Sequence, residues 1–408
     1  MAIGDISFED LKIGDMNLLA DDTPIYIGVT IIEDILKPFG PSCEIKLLDA
    51  VDGAKENEVT GSFQDVVKVK FKDTENNKIS AFEFRQHSGV GQTIAADSKR
   101  SKNYSIRCVS PEYLSKDDRT VTSAHSDKPT TEILKKTYED YTKTKKKINV
   151  LSEAEKRDKT YASIPTSGVT RALMRDMTFP DAPHSPAAVF QTQKDGKQEL
   201  QITNWEEIMK RSPKVTLKYS NVNYTGATDD EKRNVILAAN VDRLFDSSNR
   251  IKEAAAAESF NLSTHTVVDR KPSSSEVGTV KGKKLYGDKR DSKSKYSVPS
   301  SEDTINNSKS HNSTISKEQR TRYLSHLTQN QGTVKTYGNP DISLGDTITL
   351  EMPAGADEDK TGGERQFNGD VVVVGIKHKI GTPGSSPNYI MELTVVKGGF
   401  EESKGKSA

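Results

Sequence analysis

Apolar residues recur at every second position in stretches near both ends of the chain. Val67, Val69 and Phe71 alternate with lysines, and the polar turn KDTENN follows. The run Ile79–Arg85 then alternates again, and Asn103–Val109 closes the series after a loop. Period-two alternation is the mark of a strand with one face buried and one face wet. Near the other end, Gly345–Leu350 alternates, the polar connector PAGADEDKTGGERQ intervenes, and Val371–His378 carries apolar residues on both faces. The turn-forming loop GTPGSSP leads from there into Asn388–Val395.

Both series therefore predict a meander of strand, turn, strand, loop, strand. The closing strands are also similar in wording, NYSIRCVS from Asn103 and NYIMELTVV from Asn388. From Asp65 to Tyr104 the spacing is 39 residues, and from Asp346 to Tyr389 it is 43. Two unrelated meanders could share this much, but common order and spacing favour an internal duplication. Upstream of the first copy, Tyr26–Ile32 and Cys43–Asp49 predict two more strands. Between them EDILKPFGPS is a prolyl turn whose Ile35, Leu36 and Phe39 are placed to plug one mouth of a small barrel.

The pattern changes in the middle. A helix is expected from Thr130, with Ile133, Leu134, Thr137, Tyr138 and Tyr141 on one face. Thr170–Met177 predicts a second short helix and Ser316–Thr328 a third. Asp242–Ala257 is also expected to be helical, its four closing alanines favouring that state intrinsically. Ala188–Gln193 and Gln198–Thr203 flank Lys194-Asp195-Gly196-Lys197, a strong hairpin signal. Asn204 then stands where it can cap a helix opening at Trp205. Residues 285–312 hold almost no large aliphatics and predict a long loop or a segment ordered by a neighbour.

The fold class expected is α+β and mainly β: two similar small antiparallel β-barrels with a mixed α/β domain inserted between them. The boundaries expected are 1–110 for the first barrel and 111–329 for the middle domain, which can lend strands to the second barrel. The second barrel is expected over 330–400 and a flexible tail over 401–408.

Composition narrows the function. Only 33% of the 408 residues are hydrophobic, and mean hydropathy is −0.68. Such a chain suits a member of an assembly better than a compact enzyme. Basic and acidic residues both number 59, so no net field draws the chain to nucleic acid or to a membrane. No apolar run approaches 18 residues and no signal-like segment opens the chain. Synthesis in the cytosol is expected, with the protein either kept there or released by lysis. Cys43 and Cys108 lack CxxC spacing and are expected to be small buried hydrophobes.

Candidate chemistry is sparse. The seven histidines show no metal-ligand spacing. His378, between two lysines at a strand end, is expected to face outward on a rim. Glu33-Asp34 is expected to be a solvated turn and Glu206-Glu207 a helix start rather than paired catalytic acids. Gly89-Val90-Gly91 and Gly362-Gly363 are expected to be turn glycines rather than phosphate cradles. The run Lys143–Lys147, near Tyr138 and Tyr141, is the best nucleic-acid candidate, but cations at a helix C-terminus are favourable in any case. No catalytic, cofactor-binding or metal-binding residue is therefore assigned, and no cofactor is expected.

Three stretches carry a family resemblance: VTIIEDILKPFGPSCEIKLLDA (Val29–Ala50), AVFQTQKDGKQELQITNWEEIMK (Ala188–Lys210), and ISLGDTITLEMP with NGDVVVVGIKHKI and NYIMELTVVKGG between Ile342 and Gly399. In their order the chain resembles the baseplate central hub protein of contractile-tailed bacteriophages, related to the hub portion of type VI secretion spike proteins. The resemblance implies a structural, non-enzymatic protein of the virion tail baseplate, made in the host cytoplasm. It implies a homotrimer whose two barrels per subunit join a threefold central spike protein to a sixfold tail tube or tube-initiator protein. Baseplate wedge proteins and the tape measure protein are further expected partners, with no specific nucleic acid and no stable membrane insertion. The alternatives are another tail-tip component with the same barrel, distal-tail-like or sleeve-like, then a tail-associated peptidoglycan hydrolase or a nucleic-acid-binding adaptor.

Overall fold

A computed structural model describes residues 5–20, 25–49, 65–87, 91–94, 102–115, 124–125, 128–150, 160–161, 187–194, 196–219, 233–243, 256–261, 266–270, 279–280, 283–284, 295–297, 330–352, 368–382 and 388–397. The first module contains β1 (Ile6–Ile13), β2 (Met16–Asn17), β3 (Ile25–Asp34), β4 (Ser42–Asp49), β5 (Val66–Asp73), β6 (Ile79–Gln86), β7 (Gly91–Ile94) and β8 (Lys102–Val109). The alternation seen in the sequence sets its faces: Val67, Val69, Phe71, Phe82, Phe84, Ile106 and Cys108 all point inward and are buried.

In the middle, β9 (Ala124–His125) pairs with β11 (Thr160–Tyr161). The strands β10 (Ile148–Val150), β12 (Ala187–Lys194) and β13 (Lys197–Asn204) form a three-stranded sheet. The predicted hairpin is present, with Lys194 opposite Lys197 and Gly196 at φ +74°, a backbone state that glycine adopts without steric cost. The predicted helix spans Thr130–Thr142 and stops at Lys143, which takes the left-handed conformation and donates its N–H to the Glu139 carbonyl. Its apolar face packs with Phe39, Val189, Leu200 and Ile202 into a small core of its own. Asn204 Oδ1 accepts the Glu207 N–H at 2.9 Å and so caps the helix Trp205–Met209.

Next come β14 (Pro213–Tyr219) and β15 (Val235–Arg243). A separate sheet unites β16 (Ala256–Asn261), β17 (Thr266–Arg270) and β20 (Lys295–Ser297), and β18 (Thr279–Val280) pairs with β19 (Lys283–Lys284). The chain returns through β21 (Asn330–Tyr337), β22 (Thr347–Glu351), β23 (Gly369–Ile380) and β24 (Tyr389–Val396).

Pairing puts these strands in a repeated order. Across the first module the sheet runs β1-β5-β6-β8-β4-β3, and across the second β14-β22-β23-β24-β21-β15. With the short accessory strands β2 and β7 left aside, the six remaining strands of the first module and the six of the second, numbered in chain order, both read 1-4-5-6-3-2. Tyr104 on β8 and Tyr389 on β24 lie on the same, sixth strand, both buried and both starting an inward series. The second module closes into a six-stranded barrel because β14 also pairs with β15. Its closure departs from the antiparallel expectation: β14 runs parallel to both β15 and β22. Parallel neighbours cannot be joined by a tight hairpin turn, so β14 and β15 are not a hairpin.

Several expectations need correction. The Asp242–Ala257 helix is not formed at its described ends: Asp242 and Arg243 end β15, and Ala256 and Ala257 begin β16. Strand pairing, to β21 for Asp242 and Arg243 and to β17 and β20 for Ala256 and Ala257, overrides the alanine-rich helical preference. Residues 295–297 form a strand within the stretch expected to be loop. Thr170–Met177, Ser316–Thr328, Gly89, Val90 and Gly362-Gly363 lie outside the described residues, and Gly91 opens β7. The three plug residues part company: Ile35 enters the main core, Phe39 enters the small one, and Leu36 is exposed. Strand β1 was not foreseen.

Candidate assembly site at the joint between the two modules

The two modules meet through β23. Its first part, Gly369–Val372, pairs with β22 inside the second barrel, while on the same side Gly375–Ile380 pairs with Asp34–Val29 of β3 in the first module. A bulge between Val373 and Gly375 separates the two partners, and the Val374 carbonyl released there accepts the Ile35 N–H at 2.9 Å. The hydrophobic side chains of both modules consequently form one contiguous core.

The bulge also shifts which residues face inward. Val371 and Val373 are buried before it, and Ile376, His378 and Ile380 after it. His378 is therefore a core residue, 5% exposed, and not the rim residue expected. Its Nε2 lies 2.7 Å from Glu33 Oε1 and its Nδ1 2.8 Å from the Tyr389 hydroxyl. Glu33, expected in a solvated turn, is 4% exposed. Phe82 meets the His378 ring edge-on at 5.8 Å, and Tyr389 stacks on it at 5.9 Å. Burial pushes the Tyr389 hydroxyl well above its ordinary value, with the negative charges of Glu33 and Asp73 adding to this and Arg233 opposing them. The chain Glu33–His378–Tyr389 thus links β3, β23 and β24 by side chains as well as by backbone.

A second polar link lies at the tip of the β23–β24 hairpin. Asn388 Oδ1 accepts the Ile6 N–H at 2.8 Å, and Asn388 Nδ2 donates to the Ile6 carbonyl at 3.1 Å. One side-chain amide thereby replaces a strand partner at the start of β1. Beside it, Gly338 lets the Tyr389 ring approach so closely that a Cβ would lie 1.8 Å from it. Arg233, 3% exposed, is bound to Asp73 at 2.9 Å and to Glu75, fastening the entry to β15 onto the end of β5.

The hairpin layer is tied on by ions. Lys146 Nζ donates to Glu112 Oε2 and to Gln191 Oε1, both at 2.8 Å, and Gln191 Nε2 donates to the Tyr138 hydroxyl at 3.0 Å. Burial raises the Glu112 carboxyl, but the Lys146 charge and hydrogen bonds from Lys146, Thr144 and Gln191 outweigh it and hold it below its ordinary value. Lys146 is thus engaged inside the fold, which takes one of the four lysines out of the basic run expected as a nucleic-acid candidate. Cys43 and Cys108 are buried free thiols directly opposite each other across β4 and β8. Burial pushes Cys108 up to about 12, the behaviour expected of inert core cysteines.

Tyr, His and Glu in sequence have the connectivity of a proton relay. A recess of about 300 Å³ over the joint is lined by Ile32, Leu36, Trp205, Val374 and Glu33, the end of that series, and by neither His378 nor Tyr389. Among the described residues no group of three His, Cys, Asp or Glu could hold a metal ion, and no helix is long and apolar enough to cross a membrane. The arrangement builds a joint. Alternation around the bulge (Ile376, His378, Ile380) was the signal in the sequence that could have placed His378 inside.

No protein-family model and no curated protein matches the sequence. Solved structures do. A tail protein from Neisseria meningitidis MC58 superposes with a TM-score of 0.55 at 11% identity, over 97% of this chain and 98% of that one. The 43 kDa tail protein of prophage MuSo2 from Shewanella oneidensis superposes with a TM-score of 0.51 at 9% identity, over 96% of this chain and 98% of that one. Identity this low establishes architecture: along nearly its whole length, the chain has the mainly β fold of these tail proteins.

Proposed function

We propose that this chain is a structural protein of a phage tail baseplate, assembling as a homotrimeric central hub. The observation that carries the reading is the common strand order of the two modules, 1-4-5-6-3-2 twice in one chain. Three copies would offer six like modules, so a ring of threefold symmetry could meet a threefold spike on one side and a sixfold tail tube or tube-initiator protein on the other. Wedge proteins and the tape measure protein are the further contacts of this reading. The place of action is the virion tail. No catalytic residue or cofactor is assigned, because the best-organised polar network, around His378, is spent on holding the modules together. The absence of net charge and the engagement of Lys146 argue against a nucleic-acid role.

Electron microscopy of the purified oligomer tests this directly. Rings of threefold symmetry with six lobes are expected. Two-lobed single particles, persisting when the spike protein is added, would overturn the reading.

A further inference from the structure

The recess over the joint takes its walls from both modules and from the layer inserted between them. Ile32 near the end of β3 and Leu36 just after it contribute one side, Ile376 of β23 and Val396 of β24 another, and Trp205 of the helix Trp205–Met209 a third. Ile32 and Leu36 are 38% and 40% exposed, although both are large and apolar. A lone exposed aliphatic is ordinary. Two of them bordering a concave apolar site mark a surface that a partner covers.

Among these walls stands a buried charge. Glu33 is 4% exposed, and its Oε1 lies 2.7 Å from His378 Nε2. Its Oε2 meets no donor among the described residues, yet it is not sealed off, so it opens on the recess that Glu33 lines. With Nε2–H donating to Glu33 and the Tyr389 hydroxyl donating to Nδ1, His378 satisfies both contacts as a neutral ring and leaves the carboxylate uncompensated. The other charges of the lining are turned elsewhere. Asp34 accepts the Leu36 N–H at 2.9 Å and lies 3.5 Å from Lys37, and Lys377 lies 3.9 Å from Glu392. What the recess lacks is a cationic hydrogen-bond donor beside Glu33 Oε2.

We propose that the recess is a binding site for an aliphatic cation, and that its occupant is an arginine side chain of a partner protein. The apolar walls suit the aliphatic stem, and the guanidinium meets Glu33 Oε2 in a charge-assisted hydrogen bond. A guanidinium is more weakly hydrated than an ammonium and so leaves water for an apolar wall more readily. Its remaining N–H groups are matched by the side-chain oxygens of Gln331 and Thr394, which also line the site. A volume of about 300 Å³ takes one long side chain rather than a helix. The exposed Ile32 and Leu36 favour a polypeptide as the source, because a free cation would leave them uncovered. This site goes beyond the hub reading and does not depend on it.

Trp205 is the chain's single tryptophan, so its fluorescence reports on the recess directly. The full-length protein is titrated at constant ionic strength with N-acetyl-arginine amide, its neutral isostere N-acetyl-citrulline amide, the blocked peptide acetyl-Leu-Arg-Leu-amide, and putrescine. A saturable change is expected with blocked arginine, with affinity for citrulline weaker by at least about tenfold. The peptide should bind most tightly, since its leucines cover Ile32 and Leu36. Glu33→Gln should weaken blocked arginine by at least about tenfold, and so should Ile32→Lys, which sets a positive charge at an exposed position beside the site. Equal binding of arginine and citrulline, or no saturable change with any probe, overturns the cation site. Putrescine binding more tightly than the peptide makes a free diamine the occupant and overturns the partner. If Glu33→Gln loses its far-UV circular dichroism, Ile32→Lys decides, and undiminished binding there overturns the site. All of these outcomes leave the trimer to be judged by electron microscopy alone.

Discussion

The two modules share a strand order but not a way of closing. The second completes its barrel from its own strands, because β14 bridges β22 and β15. In the first, β1 and β3 do not pair; β3 turns to β23, and the start of β1 is held by Asn388. Equal topology therefore does not mean equal autonomy. The first module borrows its closure from the second, and one core runs through both.

The largest effect should come from breaking the borrowed strand. Val373 is fully buried beside the bulge, and Val373→Asp would place an unpaired carboxylate in the common core at a loss of about 4 kcal/mol or more. Urea unfolding followed by tyrosine and tryptophan signals should show both modules lost together. A variant in which only the second module melts would separate what the shared core unites. By the same logic a fragment ending at Ser110 should give no cooperative thermal transition.

A smaller loss is expected at the Gly338 contact. The added methyl of Gly338→Ala would meet the Tyr389 ring, and relief by displacement should cost about 1–3 kcal/mol in denaturant unfolding. The mirror experiment in the hairpin layer is Glu112→Gln, which should cost about 1–2 kcal/mol at neutral pH by weakening the Lys146 pair. Because the folded carboxyl titrates below its unfolded value, its contribution is complete above that value. It fades as pH falls from about 4.5 through the lowered folded value. Wild type and variant should accordingly converge in acid. The smallest effect is Tyr389→Phe, which leaves one nitrogen of buried His378 without its partner and should lower stability by about 1 kcal/mol.

Legibility in the sequence followed the regularity of the strands. The alternation of β5 and β6 is uninterrupted, and the expected meander is present there. Strand β1 was missed because a bulge between Phe8 and Asp10 moves the buried side from Ile6 to Leu11 and Ile13, and no single period spans it. A bulge likewise hid His378, where Val371 and Val373 suggest one phase and Ile376 to Ile380 obey the other. At Asp242 the alanine-rich composition downstream pointed one way and a ladder to Gln331 of β21, 89 residues on, decided the other. The parallel pairing of β14 with β22 is a contact across the whole middle region, and nothing local encodes it. For the joint, the chemistry of Glu33, His378 and Tyr389 was visible as residue types, but their meeting depends on the register of β3 against β23.

The Gly369–Ile380 strand is at once a stave of one barrel and the neighbour of the other. A hinge between the modules has no loop to bend at that point, since any swivel must first strip the backbone rungs from Gly375 to Ile380. Push or torque applied to one module is therefore delivered to the other along a continuous ribbon, with little give in between. A part built this way behaves as a rigid coupling, passing on mechanical load without absorbing it.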